Sequence, residues 1–424
     1  MKHRWVLLAL CLVMVLSASF IVNAEEPIVL RYWRHNYQPA NDLDKLAIEE
    51  FERTHPNVKV ELNIIPSPRE LEKQILTAIV GGIGPDIANI SSGWVAVFVE
   101  GGAVLPVIPE SFGVSTLSEF EAMWLPGAFG AYRLGDRIYG VPSELSAYAF
   151  WINRDHFEEA GIDPDTGYPR TWEEVASVGQ KLTKTTMGRI SRQGFVQRID
   201  APWGFESMVH QLGGNLLTPD GKHSLFNSPE VVEALRTKQD FVHKHKISDP
   251  TIQVDPLELF GTGQASMSDY GGSWAVALYA NDYPECNYKT VAYPRYANGL
   301  VDTGGTVYGY AQVVSANTKH PELAWEFVNT LASYPEKYIS AGLFQPRLGW
   351  FESEAARNFP DFDLWLDELS KGTYHFWSTA FQEIAQVIVT AMEETLMTQG
   401  DVEEVLGRAH KEVEAILARQ ADAF

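Results

Sequence analysis

The chain has 424 residues, and its 55 acidic against 33 basic side chains give a formal net charge of −22 at pH 7. This charge disfavours nucleic acids and anionic membrane surfaces as partners, because both repel an acidic protein. The length favours two domains, since a single hydrophobic core stops growing at about 250–300 residues.

The first residues have the features of a secretion signal. Two basic residues precede the apolar run 6–16, and a small-x-Ala cleavage pattern ends at Ala24. We therefore predict a signal peptide over residues 1–24 and export to the periplasm or the cell surface. A membrane-spanning helix is the alternative, although the run is shorter than the roughly 20 residues that a bilayer requires. A lipid anchor at Cys11 also stays open, but Leu10 is larger than the residue that usually precedes a lipidated cysteine.

The next predicted elements alternate between strand and helix. The spacing of apolar residues predicts strands over 28–33 and 57–62 and helices over 41–53 and 68–80. A glycine-rich turn at residues 81–85 then leads into a third strand. This series predicts a parallel sheet whose carboxyl ends border a ligand crevice. Side chains near those ends are candidate ligand contacts: Trp33, His35, Ser92 and Trp94.

Residues 141–163 combine a predicted strand with a short predicted helix. They begin as a strand and end as a short helix over 154–160, which Gly161 stops at a position suited to a left-handed C-cap. We interpret this stretch as the segment that leaves one lobe and enters a second. Glu144 and Tyr148 would then face the cleft between the lobes.

The following segments are predicted to be mainly helical. Thr171 and Glu174 form a capping-box pattern at the start of a helix that runs to about residue 183. Trp203 and Phe205 are predicted to lie just before the next helix. Further helices are predicted over 228–245, from 274, over 320–328, over 381–397 and from 400, and strands over 288–294 and 304–314.

Short motifs along the chain resemble those of one known family. They are Asn153-Arg154-Asp155 with Ala160-Gly161-Ile162, Gly82-Ile83-Gly84-Pro85-Asp86-Ile87, Gly263-Gln264-Ala265-Ser266-Met267 with Gly271-Gly272-Ser273-Trp274, Ala324-Trp325-Glu326-Phe327, and Phe344-Gln345-Pro346-Arg347. Each motif is short, but their order along the chain is similar to that of the extracellular solute-binding proteins of family 1. These are the maltose-binding-like substrate-binding proteins of sugar ABC transporters.

The resemblance implies a fold and a function. The implied fold is α/β and periplasmic-binding-protein-like, with two α/β lobes joined by three crossover segments and a ligand cleft between them. We assign residues 25–142 and 308–342 to the N-terminal lobe and residues 143–307 and 343–424 to the C-terminal lobe. The implied function is capture of a carbohydrate, expected to be an oligosaccharide, by hinge closure, and its delivery to ABC transporter permease subunits. We expect a monomer without cofactor, metal or nucleic-acid partner.

The residue types in the predicted cleft suit a carbohydrate. Aromatic rings stack on the C–H faces of a sugar, and polar side chains hydrogen-bond its hydroxyls. The candidate ligand contacts are Trp33, His35, Ser92, Trp94, Glu144, Tyr148, Trp203, Phe205, Ser273, Trp274, Tyr308 and Arg347. Trp377 is a further candidate from the late helical region.

Two other functions stay open at this point. The sequence has none of the common nucleophile-elbow, zinc-protease or P-loop motifs, but Glu144 and Glu206 could serve as the carboxylate pair of a glycoside hydrolase. The same fold could also bind a solute such as glycerol phosphate, although the acidic charge and the aromatic content argue against an anion. The sequence does not identify the sugar, its length or its linkage.

Overall fold

A computed structural model describes residues 27–375 and 378–421 of the chain. The predicted signal peptide, the possible lipid anchor at Cys11 and the candidate Trp377 lie outside the described residues. The strands are β1 Ile28–His35, β2 Val58–Ile65, β3 Ile87–Ser91, β4 Val104–Leu105, β5 Arg133–Leu134, β6 Arg137–Ile138, β7 Val141–Ala147, β8 Phe150–Asn153, β9 Lys184–Thr186, β10 Arg189–Arg192, β11 Met267–Ser268, β12 Tyr288–Val291 and β13 Val307–Ser315.

The helices alternate with these strands in the first half of the chain and dominate the last quarter. They are α1 Gln38–Thr54, α2 Pro68–Val80, α3 Val95–Glu100, α4 Leu117–Glu121, α5 Arg154–Glu159, α6 Trp172–Leu182, α7 Trp203–Gln211, α8 Pro229–His243, α9 Pro256–Gly261, α10 Trp274–Asp282, α11 Pro321–Leu331, α12 Pro335–Tyr338, α13 Glu354–Asn358, α14 Phe362–Lys371, α15 Phe381–Thr398 and α16 Val402–Ala421. None of those within residues 27–375 and 378–421 has both the length and the apolar character that crossing a bilayer requires.

The first lobe is built on a sheet with the strand order β2-β1-β3-β13-β4, and β7 pairs with β13 beside this path. β1 is parallel to β2 and to β3, as the strand–helix alternation predicts, and β13 is antiparallel to β3. Its core includes Leu30, Phe51, Ile75 and Ile87, which come from strands and helices that follow one another in the sequence. The parallel pairing places the ends of β1 and β3 at one edge of the sheet.

The second lobe has a smaller sheet with the order β11-β8-β12, and both partners are antiparallel to β8. On one side, helices α6, α7, α8, α15 and α16 contribute to a core that contains Trp172, Phe195 and Phe241. On the other side, Trp151 and Trp365 belong to a second cluster of buried aromatic residues. The two faces explain why Phe150, Trp151 and Ile152 of β8 form a continuous apolar run, since all residues of this strand are buried.

Within the described chain, three segments run side by side between the lobes. β7 pairs antiparallel with β13, from Val307 opposite Ala147 to Gln312 opposite Val141. The third segment lies on the other side of β7, where the Leu145 amide donates to the Phe344 carbonyl over 2.8 Å. This arrangement confirms the predicted fold class of two α/β lobes with crossing segments. The lobe boundaries at residues 142, 307 and 342 stay a prediction.

Some element boundaries differ from the sequence-based predictions for identifiable reasons. The structure contradicts the prediction that Trp203 and Phe205 precede a helix, because α7 begins at Trp203, directly after Pro202. Proline suits the first positions of a helix, since its fixed φ matches helical geometry. At α6, Thr171 accepts from the Glu174 amide as predicted, but the Glu174 carboxylate accepts from the Arg170 amide over 2.7 Å.

Candidate functional site

A cleft of about 490 Å³ lies between the two lobes, a volume within the range of ligand pockets. The end of β1, the start of α2, strands β7 and β13, the starts of α7 and α10 and the loops beside them contribute its walls. The lining residues are His35, Asn36, Tyr37, Pro68, Glu144, Tyr148, Arg198, Trp203, Tyr270, Trp274, Tyr308, Tyr310 and Leu343. Side chains of both lobes and of the crossing strands therefore meet in one space.

Aromatic rings form the wall next to the crossing strands. The rings of Tyr148 and Tyr308 stack with centroids 4.8 Å apart, and Tyr270 lies 5.5 Å from Tyr148. The Trp274 indole N–H donates to the Tyr308 hydroxyl. Each ring is held by another ring or by a hydrogen bond, so the wall is formed before any ligand arrives.

His35, at the carboxyl end of β1, forms part of the opposite wall. Its ring lies 4.3 Å from the Tyr310 ring, centroid to centroid. Burial and, to a smaller extent, the positive charge of Arg34 lower the pKa of His35 to about 3. The imidazole is therefore neutral near pH 7 and adds no charge to the cleft.

Glu144 projects from β7 into the cleft and is only 8% exposed. No residue in the described part of the chain donates a hydrogen bond to its carboxylate, and no cation forms an ion pair with it. Burial raises the pKa of Glu144 to about 7, against a smaller lowering by Arg34. The side chain is thus a buried acid that has no direct partner among the described residues.

Arg34 is occupied by a different carboxylate. Its guanidinium donates to Asp44 over 2.5 Å, and the side chains of both residues are nearly inaccessible to solvent. The hydroxyls of Tyr32 and Tyr338 also donate to Asp44. This group, which we call the Arg34–Asp44 network, lies in the first lobe behind the cleft.

Arg198 is a cation that lines the cleft, but it is already paired. Its guanidinium donates two hydrogen bonds to the Asp200 carboxylate, over 2.7 and 3.2 Å. It also lies over the Tyr270 ring, 4.0 Å from the centroid. Its positive charge is therefore largely balanced before a ligand binds.

Trp203 provides an aromatic surface from the second lobe. Its carbonyl accepts from the Thr306 hydroxyl over 2.8 Å, and its ring lies 4.3 Å from the His375 ring. Behind the ring, His375 Nδ1 and Glu206 Oε2 are 2.5 Å apart. Glu206 is completely buried and is not among the residues that line the cleft. The prediction that Glu206 reaches the cleft together with Glu144 is therefore wrong.

The structure brings half of the predicted site residues together in the cleft. These are His35, Glu144, Tyr148, Trp203, Trp274 and Tyr308. Their contact with a ligand stays a prediction. The other six do not line this cleft.

Trp33, Ser92 and Trp94 are half-buried at the sheet edge of the first lobe. Trp33 packs partly on the core of that lobe, and the Trp94 ring lies 6.3 Å from the Phe98 ring. The turn between Ser92 and Trp94 touches the second lobe, because a Cβ on Gly93 would come within 2.6 Å of the Phe381 ring.

The remaining three are held by protein groups. Phe205 is 2% exposed in the core of the second lobe, because it lies in the first turn of α7 rather than in a loop. The Ser273 hydroxyl is buried and donates to the Gly342 carbonyl over 2.7 Å. Arg347 donates to Asn329 and to the carbonyl of Ala332, in a separate groove lined by residues 333–337 and 347–350.

Several lining residues were not predicted. Tyr310 could have been predicted from the sequence, because it follows Tyr308 by two residues on a strand and therefore lies on the same face. Tyr270 directly precedes the glycine pair at Gly271, which belongs to a recognised motif. Asn36, Tyr37, Pro68, Arg198 and Leu343 lie outside the quoted motifs, and only the folded chain brings them to the cleft.

The site offers groups for hydrogen bonding and stacking rather than for holding a metal. In the ranges that the structure covers, 27–375 and 378–421, no three side chains of the types His, Cys, Asp and Glu come together as a metal site would require.

Comparisons with known proteins agree on the kind of protein to which this chain is similar. A family model described as bacterial extracellular solute-binding protein matches residues 38–338. The multiple sugar-binding protein of Streptococcus mutans is 23% identical over 340 residues, which cover 74% of each chain. The sn-glycerol-3-phosphate-binding periplasmic protein UgpB of Escherichia coli is 25% identical over 270 residues, 60% of this chain and 59% of that protein.

A solved structure extends the similarity over the whole fold. The ABC substrate-binding protein Lmo0181 of Listeria monocytogenes, in complex with cycloalternan, superposes with a TM-score of 0.79 at 18% identity. The match covers 92% of this chain and 99% of the other.

Proposed function

Since the chain belongs to the bacterial extracellular solute-binding proteins, we propose that it captures a carbohydrate between its lobes and delivers it to an ABC transporter. The family consists of binding proteins, and we propose that this member binds without making or breaking a bond in its ligand. We further propose that it acts outside the cytoplasm, as an exported monomer, and that permease subunits in the membrane recognise its ligand-bound form.

The observation that carries the proposal is the composition of the cleft. Its lining combines tyrosine and tryptophan rings with separate polar groups at Asn36, Glu144 and Arg198. A sugar has flat C–H faces that stack on such rings and hydroxyls that bond to such groups. The names of the similar proteins, one a multiple sugar-binding protein and one bound to cycloalternan, point in the same direction.

The arrangement of the walls supports hinge closure as the mechanism. His35 and Tyr37 belong to the first lobe, and Trp203 and Trp274 belong to the second. A ligand that contacts both sets is bound more tightly when the lobes are closed, and this difference in affinity is what shifts the equilibrium. The paired strands β7 and β13 are the segments about which the lobes would rotate.

Two alternatives are less well supported. Glycerol phosphate, the solute in the name of one relative, would need a free cation, yet Arg198 is paired with Asp200 and Glu144 is an acid. A glycoside hydrolase would need two carboxyl groups on either side of the scissile bond. Glu206 is buried against His375, so it offers no partner to Glu144.

Titration of the intrinsic tryptophan fluorescence tests the proposal. The titrants are neutral mono- and oligosaccharides, polyols and phosphate esters, and each is also incubated with the protein to detect released reducing ends. We expect saturable changes with a carbohydrate, none with phosphate esters and no hydrolysis. Trp203→Phe should reduce the amplitude, whereas Trp365→Phe, a change at a buried residue that does not itself line the cleft, should retain the ligand-induced change. Saturation by phosphate esters alone, or release of reducing ends, would contradict the proposal.

A further inference from the structure

The charges that line the cleft do not balance. Among the lining residues within the described ranges, Arg198 is charged near neutral pH, Glu144 is ionised in part because its pKa is about 7, and His35 is neutral. Arg198 has its own counter-ion, since it donates two hydrogen bonds to Asp200. The Glu144 carboxylate, in its ionised form, is the negative charge that has no counter-ion among these lining residues.

Within residues 27–375 and 378–421, no cation is placed to form an ion pair with Glu144. Arg34 is near enough to influence it electrostatically, but the Arg34 guanidinium is bonded to Asp44 over 2.5 Å. Asp44 itself opposes ionisation of Glu144. The nearby groups on the other elements are the tyrosines Tyr37, Tyr132, Tyr308 and Tyr310, which bring no positive charge. Burying a carboxylate in this way is unfavourable unless it is paired or protonated.

The aromatic rings that line the cleft also favour a positively charged group. Tyr37, Tyr148, Tyr270, Tyr308 and Tyr310 line the cleft together with Trp203 and Trp274. The face of an aromatic ring is negative, and it attracts a cation within about 6 Å of its centroid. The Arg198 guanidinium over Tyr270 is one such contact that already exists.

We propose that the carbohydrate bound in this cleft carries a positive charge: it is an amino-substituted sugar whose ammonium group pairs with Glu144 among the tyrosine rings. This inference rests on the proposed function and specifies the ligand class of the same site. An ammonium would donate hydrogen bonds to an acid that receives none from the described part of the chain. A neutral sugar of the same shape would leave the carboxylate with a hydroxyl partner only.

Matched pairs of ligands test the proposal without any variant. Glucose disaccharides in α1,4 and β1,4 linkage are each compared with a counterpart that has one amino group in place of a hydroxyl, at C2 or at C6. Binding is measured by calorimetry at pH 7. We expect at least one amino counterpart to bind about tenfold more tightly than its neutral parent, because hydrogen bonds to charged groups are stronger than neutral ones.

Two variants connect the preference to one side chain. Glu144→Gln keeps the size and removes the charge, so the ratio of amino-sugar affinity to neutral-sugar affinity should fall to within about threefold of unity. Glu326→Gln is the matched control, because Glu326 lies on the surface beside His55 and makes the same charge change away from the cleft. It should keep the full preference. Choline, an ammonium without a sugar ring, should bind more weakly than the amino sugars.

The outcomes separate this inference from the proposed function. Equal affinities for amino and neutral sugars would overturn the inference and leave carbohydrate binding intact. An amine preference that persists in Glu144→Gln would overturn the role of Glu144. Failure of every sugar to bind, or choline binding as tightly as the amino sugars, would contradict the proposed function itself.

Discussion

Two buried polar regions lie close to each other in this protein and are built in opposite ways. In the Arg34–Asp44 network, one carboxylate accepts from a guanidinium and from two tyrosine hydroxyls. In the cleft, the Glu144 carboxylate receives no hydrogen bond from the described residues. The first region uses its polar groups to join β1, α1 and α12. The second leaves a polar group open to the space between the lobes.

The difference indicates which buried charges hold the fold and which serve a ligand. A paired charge is costly to disrupt, because removing one partner leaves the other buried without compensation. An unpaired charge lowers the stability of the free protein, and this cost is offset when a ligand supplies the partner. We expect substitutions in the first region to change the free energy of unfolding and substitutions in the second to change the affinity for the ligand.

Asp44→Ala should be the most damaging substitution for the fold. It leaves the Arg34 guanidinium buried without a counter-charge, and such losses cost about 3–5 kcal/mol. Chemical denaturation of the variant measures the loss. Asp42→Ala, on the exposed side of the same helix, is the control and should have little effect. Similar unfolding midpoints for the two variants would show that the network does not hold the fold.

Phe205→Ala and Trp203→Ala compare neighbours on α7 with different surroundings. Phe205 is 2% exposed in the core, so its truncation should lower the free energy of unfolding by about 3–5 kcal/mol while the folded protein still binds ligand. Trp203→Ala should instead weaken ligand binding by at least about tenfold, because an aromatic anchor in a pocket is removed. Denaturation and calorimetric titration of both variants distinguish these effects. Unchanged affinity in Trp203→Ala would contradict the proposed role of the cleft.

The pH dependence of stability should reveal the unpaired acid. The pKa of Glu144 is raised from 4.5 to about 7 by burial, so the folded state binds its proton more tightly than the unfolded state does. The free energy of unfolding should therefore fall as the pH rises from about 4.5 to about 7, by roughly 1–3 kcal/mol from this group.

The quantity to measure is the difference between Glu144→Gln and the wild type, because other buried acids such as Glu72 also titrate. Relative to the wild type, the variant should gain stability across this pH range. A pH-independent difference would mean that Glu144 is not perturbed as the structure indicates.

Arg347→Ala should have the smallest effect on binding. The motif Phe344-Gln345-Pro346-Arg347 predicts a ligand contact, but the guanidinium bonds to Asn329 and to the Ala332 carbonyl outside the cleft. We expect the sugar affinity to change by less than about threefold, as for other residues that do not contact the ligand. A tenfold loss measured by the same titration would restore the sequence-based prediction.

The sequence was sufficient for the fold and for part of the site. Periodicity predicted β1, α1, β2 and α2, because each element buries one face in a core of sequence neighbours. Glu144 and Tyr148 were predicted because they lie on a crossing segment with a recognisable motif. Both residues lie in the cleft because of the local path of this segment.

What the sequence did not predict depends on contacts between distant segments. Phe205 is predicted to lie just before a helix. Because α7 begins at Trp203, Phe205 instead lies in the first turn of that helix and is buried. Arg198 and Tyr270 are 72 positions apart in the numbering, yet the guanidinium of one lies 4.0 Å from the ring centroid of the other. The unpaired state of Glu144 likewise requires knowing that Arg34 is already bonded to Asp44. No local pattern contains that information.

A crystal structure of the protein with a bound sugar would show whether the ligand lies between the lobes and contacts Glu144. We expect the sugar between Trp203 of the second lobe and Tyr37 of the first, with one of its polar hydrogens donated to Glu144 at a normal hydrogen-bond distance of about 2.5–3.2 Å. A sugar bound in the groove beside Arg347, or one that leaves Glu144 without a partner, would contradict this mode of binding.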